Sequence, residues 1–334
     1  MTAQLGFRSR FRAPGRQRGV AIITALLLTT LAVTIVASLF WQQQVQVRSI
    51  ENQRLHLQTK WILRGALDWA RLILQQDDRD SSITAETSVW ATALAETRLD
   101  DYVERERTDN ERYDATLSGQ ITDAQARYNL ANLAADRLLD AGQVAVFGKL
   151  LENLQLNPAL AKAVAERVAR SQKGKAPDTG GTAPPAGTPQ PVGTDGTEPV
   201  ELMRVEDLLA VSGFTQQGIE RLREFVVVLP DTGTGVTAIN VNMAKPELLA
   251  ALVENYSVSE AASLVQFRKR TPFLRTDDFK AALTGKTLRS DKITVKSDFF
   301  LVLSHIRLGR AALDAESLIR RANKQATLVW IREN

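Results

Sequence analysis

The side chains able to do covalent or metal chemistry are few and poorly spaced for it. There is no cysteine, so disulfides, thiol nucleophiles and zinc–thiolate sites are absent. The two histidines are His56 and His305. The first falls in a helical pattern and the second in a strand pattern, so neither has a metal-ligand spacing. LTGKTL, residues 283 to 288, is similar to the end of a phosphate-binding loop, but the position that needs the earlier glycine is Lys280. No Gly-x-Ser-x-Gly occurs. These absences predict a protein that is not an enzyme.

Charge is the remaining chemistry, and it is unevenly placed. The pI near 9.4 suggests a nucleic-acid partner. Yet residues 1 to 19 hold Arg8, Arg10, Arg12, Arg16 and Arg18 and no acid. Removing those five from the net charge of +4 leaves about −1 for the rest. The local basic cluster Arg268, Lys269 and Arg270 lies near Asp277 and Asp278. No electrostatic footprint for nucleic acid remains in the bulk.

The elements that carry these residues begin with an uncharged run from Val20 to Phe40. As a helix it is about 30 Å long, enough to cross a bilayer core. Arginines before it and few after it predict a cytoplasmic N-terminus. Three readings fit: a cleaved secretory signal, a plain anchor, or a processed segment. The run is longer than a secretory apolar region and ends in Leu39, Phe40 and Trp41 rather than small residues. No proline occurs between Pro14 and Pro158, so one helix is expected from about residue 20 to about 76. Its second half is amphipathic, with Ile62, Ala66, Trp69 and Ile73 among its apolar positions. Its Trp61/Trp69 face is expected to lie under a sheet.

Residues 83 to 113 carry helical spacing through Val89, Trp90, Ala93, Leu94 and Leu99. In ATLSGQITDAQARYNLANLA, residues 115 to 134, Thr116, Ser118, Gln120 and Thr122 alternate with Leu117, Gly119 and Ile121, the period of a half-buried strand. Two helices follow over 135–170, and three short ones over 246–282. Residues 174 to 199 hold six glycines, six prolines and five threonines and are expected to form a disordered loop. DFFLVLSHIRLG, ALDAESLIRR and ATLVWIREN read as strands joined by turns at Gly309-Arg310 and Ala322-Asn323-Lys324. The expected fold is α+β: a long N-terminal helix packed on an antiparallel sheet, with a large helical domain inserted between strands.

A basic leader ending in Gly19, an apolar helix starting at Val20 and an amphipathic continuation together resemble the prepilin signal of type IV pilins and pseudopilins. ITDAQARYNLANL (121–133) and AINVNMAKPELLAALV (238–253) resemble two signatures of the type II secretion protein K family, and the order of parts is similar over nearly the whole chain. The resemblance implies a cut between Gly19 and Val20 by prepilin peptidase, with Val20 then N-methylated. It implies a pilin-like fold divided as leader 1–19, helix 20–76 (transmembrane over 20–41), pilin-like domain 77–128 and 286–334, and inserted helical domain 129–285. The glutamate usual at the fifth residue after the cut falls on Thr24, and K members characteristically lack it.

That family's role implies a minor pseudopilin held in the inner membrane with its globular part in the periplasm. It would initiate and cap the pseudopilus for protein export across the outer membrane, with minor pseudopilins I and J, and H below, as partners. Relatives hold calcium through an acidic loop in the inserted domain, which needs six to eight oxygens. At the corresponding place only Asp178, Asp195 and Glu198 are spread through the Gly/Pro/Thr stretch. Glu201, Glu206 and Asp207 are the remaining calcium candidates, beside a reading of them as a solvated helix face. INVNMAKPELLAAL followed by RKRTPFLRTDDF also resembles a helix-hairpin-helix DNA-binding pair. The alternative function is thus a membrane-anchored DNA-binding protein of the competence type. Its turn, Glu254-Asn255-Tyr256-Ser257-Val258, lacks the glycines that expose backbone N–H groups to phosphate. Asn129, Asn132, Asn240 and Asn242 are expected to form turns and caps.

Overall fold

A computed structural model describes residues 18–101, 114–172, 199–231 and 235–333. Leader residues 1–17 and residues 174–198 of the expected loop lie outside the described residues. The chain divides into two compact units, residues 1–58 and 59–334.

Within the first unit the described residues belong to one helix, α1, which spans Arg18–Asp80. From Val20 to Ile50 its side chains are exposed all round. By length and composition it can cross a membrane. Its threonines do not leave hydroxyls unsatisfied: Thr24, Thr29, Thr30 and Thr34 each donate to a carbonyl three or four residues back. Such back-bonding lets a polar residue stand in an apolar helix.

In the second unit α1 continues to Asp80, four residues beyond the expected end. Acids at a helix C-terminus oppose the dipole, and two cations offset them. Arg321 Nη1 donates to Asp77 at 2.6 Å, and Lys296 pairs with Asp78 at 2.8 Å. The buried stripe is Leu63, Leu67, Ala70 and Leu74, at steps of four, three and four. It packs on one antiparallel sheet with strands in chain order: β1 Leu94–Arg98, β2 Ala115–Asp123, β3 Phe299–Leu308, β4 Ala311–Ala322 and β5 Gln325–Glu333. Phe300, Val302, Ile306, Leu313 and Ile319 meet the helix from the sheet. Their alternation along β3 and β4 is the strand period seen in the sequence.

Two expectations are corrected here. The Trp61/Trp69 face is not covered: Trp61 is 67% exposed and Trp69 49%. At 100° per residue Trp61 and Trp69 lie roughly 150° and 130° from the centre of the stripe through residues 63, 67, 70 and 74, on the far side of the helix. The helical spacing is also misleading over 83–101, the rest of that stretch, 102–113, lying outside the described residues. A single 3₁₀ turn, Val89–Ala91, is followed by strand β1 and another short turn, Leu99–Asp101. Trp90 fixes that turn by burying its ring edge-on to Phe300, at 5.1 Å between centroids. Pairing with β2 then takes the next residues into the sheet.

Between β2 and β3 the chain leaves the sheet and builds a helical body. Its helices are α2 Ala141–Asn153, α3 Leu160–Ser171, α4 Gln216–Leu222, α5 Pro246–Leu252, α6 Val258–Arg270 and α7 Thr276–Ala282. The expected two-helix and three-helix groups are present. Pro158 stands just ahead of α3, whose N-cap is Ala159. The body has its own apolar core, reaching from Tyr128 to Ile293. A smaller cluster of Ala124, Val227, Leu229, Phe299, Leu301 and Leu318 lies on the sheet face opposite α1. The helical body is thus mounted on the sheet's second face.

Candidate functional site

The peptide bond between Gly19 and Val20 lies in the first turn of α1, which begins at Arg18. Thr24 sits one turn further on, and its hydroxyl lies 3.0 Å from both Val20 O and Ala21 O. One hydroxyl proton is shared between two carbonyls, and no charge is present to be neutralised.

The two asparagine-rich motifs meet at the root of the helical body. Asp123 ends β2 fully inside the fold. Its Oδ1 accepts from Gln125 N at 2.8 Å. Its Oδ2 accepts from Asn240 Nδ2 at 2.8 Å and Ser297 Oγ at 2.6 Å. Burial nevertheless pushes its carboxyl up to about 6, against these hydrogen bonds, which favour the ionised form. Asn240 Nδ2 also reaches Thr84 O, while its Oδ1 accepts from Asn242 N. Arg321, almost without exposure, donates to Thr84 Oγ1 and to Ser297 O, each at 3.0 Å, and lies over the Phe300 ring. Segments that are far apart in sequence are thereby tied at one buried point: the end of α1, the end of β2, the second motif, and the strand-ward return at Ser297.

The other motif side chains extend these ties. Gln125 Nε2 donates to Ala238 O, and its Oε1 accepts from Phe299 N. Asn129 makes the expected turn to Ala131 N, but its Oδ1 also accepts from Leu229 N. Asn132 clamps both backbone groups of Thr237, and Asn242 clamps both of Phe273. Turn formation is therefore only part of their role. Each amide also stands in for a strand partner where no strand is long enough to supply one. Sequence reasoning missed Thr84, Ser297 and Arg321. Arg321 carried a signal, because it falls at an inward-facing position of β4 after Leu313, Ala315, Ser317 and Ile319.

Two of the three calcium candidates are engaged within the chain's own structure. Glu206 pairs with Arg223 at 2.7 Å, and Asp207 accepts from Met203 N and Arg204 N. Glu201 is exposed. Among the described residues no three His, Cys, Asp or Glu side chains converge as a metal site. Glu201, Glu206 and Asp207 as placed do not fit calcium, which wants several free carboxylate oxygens. Asp178, Asp195 and Glu198 lie outside the described residues. His305 pairs across strands with Asp314.

In the α5–α6 hairpin, Asn255 takes φ 51°, a left-handed conformation that asparagine tolerates. The first turn of α6 is closed by Ser257 and Glu260, whose carboxylate accepts from Ser257 N at 2.8 Å. Lys286, the lysine of LTGKTL, pairs with that carboxylate at 2.6 Å, and with Ser257 holds it down to about 2. A negative charge thus stands where a phosphate would have to enter. Arg268 is buried and donates to Val241 O, and Lys269 faces Glu86 at 3.7 Å. The basic cluster is thus split between a buried arginine and a lysine facing an acid.

Known proteins give the same picture. Residues 126–231 and 239–297 each match a family model described as type II secretion system (T2SS), protein K. The type II secretion system protein K of Pseudomonas aeruginosa is 26% identical, with 95% of this chain and 92% of that protein covered. Its counterpart from Klebsiella pneumoniae is 27% identical, covering 95% and 96%. That from Pectobacterium carotovorum is 25% identical, covering 94% and 95%. The fold is similar to a chain in the crystal structure of the GspK-GspI-GspJ complex from the enterotoxigenic Escherichia coli type 2 secretion system. There the TM-score is 0.63 at 19% identity, with 85% of this chain and 98% of that chain covered.

Proposed function

We propose that this chain, which belongs to the type II secretion system protein K family, is the minor pseudopilin that starts and caps the pseudopilus. In this reading prepilin peptidase cuts after Gly19 and methylates the Val20 amine. The apolar part of α1 holds the precursor in the inner membrane, and the globular part lies in the periplasm. After the cut, α1 packs beside the corresponding helices of minor pseudopilins I and J, with H below. Packing between such helices is close van der Waals contact, not chemistry.

The observation that carries the reading is the insertion of a whole helical body between β2 and β3 of a sheet that seats the end of α1. A subunit so enlarged can be placed last without obstruction, but leaves no room for another above it. Thr24 fits the same position. In ordinary pilins the glutamate at that point is thought to pair with the terminal amine of the subunit ahead. A subunit with none ahead would bury an unpaired carboxylate, which is costly. The threonine bonds to its own helix instead.

The test is co-expression with minor pseudopilins I and J, extraction in detergent, and native mass measurement. A ternary complex is expected. Recovery of this chain alone, while I and J associate with each other, would contradict the tip placement.

A further inference from the structure

The sheet face opposite α1 is only partly covered by the helical body, and a cleft of about 500 Å³ opens beside the covered part. That is the size range of binding pockets. Its walls carry a surplus of cations. Of its acids, Glu206 is taken by Arg223 and Glu224 by Lys245. What remains is Arg127, Arg204 and Arg332 against Glu316. Arg332 lies 3.8 Å over the Trp330 ring and donates to Met203 O. Arg127 is half-buried, and its guanidinium makes no hydrogen bond or ion pair with the described residues. Burial holds its guanidinium below its usual range, although Glu316, Glu224 and Asp123 pull the other way.

A half-buried cation without a partner is costly to keep for stability alone. The floor beside it is apolar, with Leu301, Leu303 and Trp330. We propose that this cleft is a docking site for a carboxylate-bearing, aliphatic peptide segment of a partner protein. Arg127 and Arg204 would receive the carboxylate, and Leu303 and Trp330 the aliphatic part. A bare inorganic anion would leave the apolar floor unused. A nucleic acid would meet a body with almost no net positive charge outside the leader. The inference does not depend on where in the pseudopilus the chain stands.

The test uses the purified full chain in detergent with two fluorescent peptides, one alternating Glu and Leu and one alternating Lys and Leu. The acidic peptide should bind about tenfold or more tighter than the basic one, and more weakly at high salt. Arg127→Leu should lose about tenfold or more of that affinity while its Tm stays level or rises, because it removes a half-buried charge whose guanidinium has no hydrogen-bond partner among the described residues. Arg204→Gln, at an exposed position, should weaken binding with no change in Tm and serves if Arg127→Leu does not fold. Equal binding of the two peptides, or acidic-peptide binding unchanged in the folded variants, would overturn the proposal.

Discussion

Asp123 makes the root of the helical body sensitive to pH. Its carboxyl is raised from 3.8 to about 6 by complete burial. Below both values the folded and unfolded chains each carry the proton. Between them the unfolded chain releases it first, so the folded state loses stability as pH rises. Above about 6 the loss is complete. A shift of this size corresponds to about 3 kcal/mol, or roughly 6–12 °C in Tm for a domain of this order of size. Asp123→Asn keeps the shape and the acceptor for Gln125 N but cannot titrate. The introduced amide nitrogen would face Asn240 Nδ2, a donor against a donor, which adds a penalty independent of pH. The informative quantity is therefore the change in the offset between wild type and variant, not the offset itself. Thermal unfolding of both full chains, followed by circular dichroism from pH 4 to 7, should show wild type losing about 2.4 kcal/mol relative to the variant, the rest of the loss falling below pH 4. An offset constant within about 0.5 kcal/mol across that range would refute the burial argument, since that spread is the ordinary effect of a neutral substitution.

Arg321→Ala should cost about 3–5 kcal/mol in chemical denaturation, because Asp77 and the Thr84 and Ser297 acceptors lose their buried partner. Arg321→Lys should recover only part of it, since one ammonium cannot span acceptors held by two guanidinium nitrogens. Gly119→Ala should destabilise by about 1–3 kcal/mol, because the added Cβ would stand 2.7 Å from Leu303 O and force β2 and β3 apart. Thr24→Glu should reduce pseudopilus initiation in secreting cells while leaving leader cleavage intact. Normal pseudopilus numbers in that variant would remove the explanation given for the threonine.

The parts legible in the sequence are those whose pattern has a single reading. An uncharged run of helix length admits little else, and the alternation in β2 to β5 specifies strands with one buried face. At the two turns Gly309 and Asn323 are residues that accept the left-handed backbone found there. The orientation of α1 was not legible, because both of its stripes are apolar. Leu63, Leu67, Ala70 and Leu74 face the sheet, whereas Trp61 and Trp69 stay largely exposed. Periodicity shows that a face is apolar, not what covers it. β1 was lost because its pairing with β2 is a long-range matter that a short window cannot register. The motif asparagines were recognisable as turn formers, but their partners at Leu229, Thr237 and Phe273 lie too far along the chain to be inferred.

The most direct test of the account is the N-terminal mass of the chain co-expressed with prepilin peptidase. The account predicts a mature chain that begins at Val20, carries one methyl group on its amine, and is absent when the peptidase is omitted. An intact leader in the presence of active peptidase, or a first residue other than Val20, would contradict it.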